Sequence, residues 1–168
     1  MRLLVAALLL GGCSSQAPDP AEGNAAVALE QGAIARGLVR DPSDGTLTGL
    51  YARGTDRMCI VPDGGGYRVG LYVDYGDGIS CSASGSVSTR GEGLRAVLGD
   101  DGDCTIDADY DGERIAFPGQ VPDGCRRHCR SRASVAGFAV ERLSGSQAEA
   151  AAMRGRSGVL LCADDSDT

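Results

Sequence analysis

The chain contains no tryptophan, no lysine, one histidine and two phenylalanines among its 168 residues. Each shortage excludes something. Without lysine there is no Schiff-base or lysine-nucleophile chemistry. All 16 positive side chains are arginine. With so few aromatics, a core must rest on Val, Leu, Ile and Ala, and thin cores of this kind often need cross-links. Any Ser-His-Asp arrangement must use His128, which sits among Arg126, Arg127, Arg130 and Arg132. Those cations would depress its pKa and disfavour the imidazolium such a mechanism forms. No G-x-S-x-G elbow occurs. The net charge of −7 suits solubility but is a poor basis for holding nucleic-acid phosphates. These features point to a non-enzyme without a nucleic-acid partner. The length fits one domain.

Long apolar runs are also missing. Leu3–Leu10 is apolar but far short of the about 20 residues a spanning helix needs. It follows Arg2 and precedes Leu10-Gly11-Gly12-Cys13, giving the order charge, apolar run, small residues, cysteine. This fits the apolar centre of a signal peptide. The segment resembles the lipobox of bacterial lipoproteins. The resemblance covers residues 1–13 and assigns no family to the mature domain. It implies cleavage before Cys13, a diacylglycerol on its thiol and an acyl chain, such as palmitate, on its amine. Two or three chains suffice for stable anchoring, whereas one is marginal. By the same analogy Ser14, which is not Asp, favours the outer membrane, facing the periplasm. Residues 1–12 are thus expected as a signal peptide, 13–24 as a lipidated flexible tether, 25–162 as one β-rich domain and 163–168 as an acidic tail. Removal of 1–12 leaves 15 Arg against 23 acidic residues, a net charge of −8.

Six cysteines remain: Cys59, Cys81, Cys104, Cys125, Cys129 and Cys162. An even number in an exported domain reads as three disulfides, with the connectivity open. Cys125-Arg126-Arg127-His128-Cys129 has the wrong order for the C-x-x-C-H of haem attachment. A zinc site on Cys125, His128 and Cys129 is a second option, opposed by the four arginines and by an oxidising compartment. No metal and no cofactor are expected.

Between these cysteines, strand signals recur at short intervals: 46–53, 57–61, 67–75, 79–87, 93–98, 104–110, 113–117 and 133–143. Tyr67, Val69, Leu71, Val73 and Tyr75 alternate with polar residues, as do Cys104, Ile106, Ala108 and Tyr110. Asp111-Gly112 predicts a type I′ hairpin turn. A helix is expected over 25–39, ended by Pro42. The capping box Ser146-Gln147-Ala148-Glu149 predicts a short helix to about Met153. Val159–Cys162 would pin the C-terminus back. The predicted fold is mostly β: a small antiparallel barrel or sandwich with one or two short helices, stapled by disulfides.

Three candidate sites compete. Asp107 to Gly112 matches the first half of an EF-hand loop, but the twelfth position is Pro118 rather than Glu, so the hairpin reading is preferred. Gly64-Gly65-Gly66 reads as a turn, since no helix pattern comes after it to make it a phosphate cradle. Arg126, Arg127, Arg130 and Arg132 form a basic loop in an acidic chain. Such forks bind carboxylates and phosphates, and they could equally pair with the Asp-rich hairpin. The reading is a membrane-anchored binding or envelope-associated module whose partner is an envelope component or periplasmic protein. An alternative is a lysozyme-inhibitor-like binder. It resembles that group in size and anchoring but lacks a Ser-Gly-x-x-Tyr loop. Six cysteines that resist alkylation until reduced, counted by intact mass, are the expected outcome of the three-bridge reading.

Overall fold

A computed structural model describes residues 20–35 and 45–163. The chain divides into two compact units, Met1–Asp44 and Gly45–Thr168. In the first, helix α1 spans Pro20–Ala35. It opens earlier than its apolar spacing predicts, so 20–24 is helix rather than tether. Pro20 explains this start: at the first helical position its missing N–H is no loss and its φ is already helical. Residues 36–39 of the expected helix lie outside the described residues, as do 1–19 with Cys13 and the tail 164–168.

The second unit is an eight-stranded antiparallel barrel: β1 Gly49–Arg53, β2 Asp56–Asp63, β3 Gly66–Asp74, β4 Ser80–Arg90, β5 Gly93–Leu98, β6 Cys104–Tyr110, β7 Arg114–Ala116 and β8 Ala139–Ser144. Each strand pairs with the next, and β8 returns to β1 through Leu50, Tyr51 and Ala52. The predicted strands are found in order. The last is shorter than expected, because 133–138 remain loop. Between β2 and β3, Gly64 and Gly65 both take positive φ, as a type I′ turn requires. The β6–β7 turn differs from expectation. Asp111 N–H donates to the Arg114 carbonyl, leaving Gly112 and Glu113 at the centre. Only Gly112 of that pair has positive φ, the type II′ pattern. Asp111 instead accepts from the Arg114 and Glu113 amides, which hold its carboxyl below the usual range.

Alternation sends Met58, Ile60, Val69, Leu71, Val87, Leu94, Ala96, Ile106 and Ile115 inward. They fill the lumen, which has about 0 Å3 left for a water-sized guest. Eight strands give an interior just wide enough for side chains. Outward positions include Ser84, Ser86, Ser88, Arg95 and Asp107, the reverse of a lipid-facing barrel. Cys59 and Val61 are exceptions: they face out yet are buried, under α2 (Gln147–Ala151) and the C-terminal loop with Ala150, Met153 and Leu161. Both faces of that stretch of β2 are therefore covered, so it reads as a continuous apolar run. Ser146 caps α2 by accepting from the Glu149 amide. Leu161 and Cys162 are buried as expected, while Val159 is 62% exposed.

Both barrel ends are closed. At one, the β7–β8 connection carries a 3-10 helix, Asp123–His128, and adds Cys125, Val135 and Phe138 to the core. At the other, the Arg142 side chain is only 4% exposed. It donates to the carbonyls of Thr48 (2.7 Å), Thr46 (3.2 Å) and Gly112 (3.3 Å) and to the Tyr110 hydroxyl (2.8 Å). Its guanidinium lies 4.7 Å from the Tyr51 ring centre, and Tyr51 donates to the Leu47 carbonyl. The Glu113 carboxylate, 3.7 Å from Nε, supplies charge but is too distant for a hydrogen bond. Arg142→Leu would strand these acceptors. It is expected to cost about 3 kcal/mol, seen as a lower urea midpoint at unchanged m-value.

Candidate anion-binding recess

The bridges are Cys59–Cys162, Cys81–Cys129 and Cys104–Cys125. Two of them fasten the β7–β8 connection to the starts of β4 and β6. Cys125 and Cys129 are thereby oxidised, so the zinc alternative has no thiolates to use. The acidic hairpin is likewise committed: Arg95 forks onto Asp107 and Asp111 holds its turn.

Pulling Cys129 onto Cys81 places the basic loop beside the first outward residues of β4. Arg130 N–H donates to the Ser80 carbonyl at 2.8 Å. From the other side comes the loop after α2, held by Leu161 N–H to the Met153 carbonyl and by the Cys59–Cys162 bridge. Its Arg156 donates to the Gly78 carbonyl (2.5 Å) and meets the Ser80 hydroxyl at 3.3 Å. Between them lies a recess of about 510 Å3, lined by Ser80, Ser82, Arg127, His128, Cys129, Arg130, Arg156 and Ser157. Among the described residues, no carboxylate lines it.

The four arginines expected to act together are separated. Arg126 pairs with Asp123 in full solvent and faces a different cleft, with Val121 and Ala133. Arg132 is exposed and lines neither. Arg127 pairs with Asp101 and Asp103 of the β5–β6 turn, an internal pairing of the kind expected as the alternative to ligand binding. Gly124 permits it, since a side chain there would collide with the Asp103 backbone. Arg130 has no ion pair or side-chain hydrogen bond among the described residues, and Arg156 has only neutral acceptors. The recess therefore keeps two uncompensated cations. Arg156, Ser80, Ser82 and Ser157 were not legible as site residues. Arg156 is 26 positions beyond Arg130 in the sequence, and only the C-terminal bridge brings it close.

No family model, curated protein or solved structure matches the chain. The reading of the recess therefore rests on its own chemistry. Its donors, from three segments, suit an anion. Its sulfur is in a bridge, and His128 Nε2 is buried without a hydrogen-bond partner.

Burial pushes the His128 pKa down; the Leu98 carbonyl opposes this and the Arg127 charge adds to it. A pKa lower in the folded than in the unfolded chain gives stability that is full above the unfolded value, about 6.5, and is lost as pH falls toward the folded value. The urea midpoint should therefore drop between about pH 7.5 and about pH 5. His128→Gln should show a smaller drop, and an unchanged one would contradict the assignment.

Proposed function

We propose that the protein is a non-catalytic, lipid-anchored binding module of the bacterial envelope, held on the outer membrane and facing the periplasm, and that the recess is its contact site for an anionic group. The observation that carries this reading is the convergence of Arg130 and Arg156, both without a carboxylate partner, on a lining of donors in an acidic chain. The address rests on the sequence of residues 1–13, in which charge, apolar run, small residues and cysteine follow one another. All six downstream cysteines are joined in pairs, in keeping with an oxidising compartment, which leaves Cys13 as the sulfur available for lipid. No helix among the described residues is long and apolar enough to cross a membrane, and the barrel wall is polar. Attachment through acyl chains fits both facts.

A second reading, a binder of a cationic lysozyme, draws on a cleft of about 250 Å3 at the other barrel end. Glu92, Asp109 and Asp111 line it, together with Arg114. An acidic cleft would attract a basic partner. Absence of lysozyme inhibition by an excess of purified protein removes this reading.

The anchor is tested by fractionation and intact mass in a bacterial host. The wild-type chain is expected in the membrane fraction, beginning at residue 13 and carrying acyl mass. Cys13→Ser should lose the acyl mass and leave that fraction. A Cys13→Ser variant that stays membrane-bound would overturn the anchor.

A further inference from the structure

The lining of the recess narrows what it can hold. Of the eight described residues that line it, seven are Arg, His or Ser, and the eighth is the bridged Cys129. Among these described residues there is no aromatic ring to stack on a base and no aliphatic side chain to receive an acyl chain. The guanidinium groups come from the end of the 3-10 helix, from the residue after Cys129 and from the loop after α2. They thus approach from different directions. A planar carboxylate satisfies one fork, whereas a tetrahedral oxyanion offers oxygens to several at once. The volume of about 510 Å3 falls in the range of small-molecule sites, about 300–1,000 Å3, so a bare anion would leave most of it to water. What remains beside the cations is hydroxyl: Ser80, Ser82 and Ser157. Hydroxyls both donate and accept, which matches the hydroxyl groups of a sugar. Beyond Ser82, the outward column of β4 continues with exposed Ser84, Ser86 and Ser88.

We infer that the recess binds a phosphorylated saccharide, with the phosphate at Arg130 and Arg156 and the sugar against the serine hydroxyls. This rests on the reading of the recess as an anion site. The phosphate takes the two cations that lack a carboxylate, and Arg127, already paired with Asp101 and Asp103, borders the site without being required. The same headgroup chemistry occurs free in solution and at the end of a lipid.

The test is calorimetric titration of the oxidised, unlipidated Cys13→Ser chain with glucose 1-phosphate, glucose, inorganic phosphate and glucuronate. Glucose 1-phosphate is expected to bind at least about tenfold more tightly than the other three. Arg130→Gln and Arg156→Gln should each weaken it by a similar factor. Arg130 is exposed and unpaired, so its variant should keep the wild-type melting temperature, which guards against a trivial loss of fold. Equal binding of inorganic phosphate overturns the saccharide but leaves the anion recess standing. Equal binding of glucuronate overturns the phosphate. Unchanged affinity in Arg130→Gln overturns the location. Sedimentation with phosphatidylglycerol vesicles, with and without a lipid-linked sugar phosphate, separates the two sources. Binding only to the vesicles with the sugar phosphate supports the lipid-linked form, and equal binding to both overturns the saccharide. No binding to any probe, in solution or on vesicles, removes both this inference and the recess as a contact site.

Discussion

The pairing of β8 with β1 is the constraint on which the rest depends. It leaves no strand edge of the barrel open to another chain, and with eight strands it limits the lumen to a width that side chains fill. The lumen is packed with Val, Leu, Ile, Met and Ala, so it cannot also be a ligand cavity. Any ligand site is thereby confined to the outer wall and to the connections. Arg142 serves this closure from within: it sits opposite Tyr51 in the β1–β8 register and gathers carbonyls from the approach to β1 and from the β6–β7 turn.

The bridges divide the remaining work. Cys104–Cys125 and Cys81–Cys129 close sequence separations of 21 and 48, while Cys59–Cys162 closes 103. In the chain-entropy picture each limits the unfolded ensemble by about 3–5 kcal/mol. For a barrel with two phenylalanines and no tryptophan, that is a large share of a typical stability of about 5–15 kcal/mol. Their placement matters as much as their number. One bridge brings His128 and Arg130 to β4, and another ties down the loop that carries Arg156, so the covalent framework and the recess share the same supports.

The strands were legible because their chemistry is local. Val69, Leu71 and Val73 alternate cleanly, and Gly64-Gly65 marks a reversal on its own. The capping box at Ser146 likewise contains its own explanation. The start of α1 was hidden because apolar spacing begins at Ala25, whereas the decisive residue is Pro20. The β6–β7 turn departs from the type I′ expectation, although Asp-Gly is a frequent pair in such turns; here the Asp111 side chain takes two backbone amides and shifts the turn's centre by one residue. The recess was only half visible. Arg127, Arg130 and His128 are close in sequence, but their partition into paired and unpaired cations depends on Asp101 and Asp103, and Arg156 arrives through a bridge whose connectivity no spacing reveals.

The same closure has a consequence in time. A chain made from its N-terminus onward can zip β1 to β2, β2 to β3 and on to β7 through short connections, each a nearby contact. The seam is different: Ala52 meets Glu141, so the first strand must wait for the last. Until then the growing sheet has two bare borders, able to pair with any neighbouring sheet. The final rung is therefore both the slowest to arrive and the one that ends the hazard.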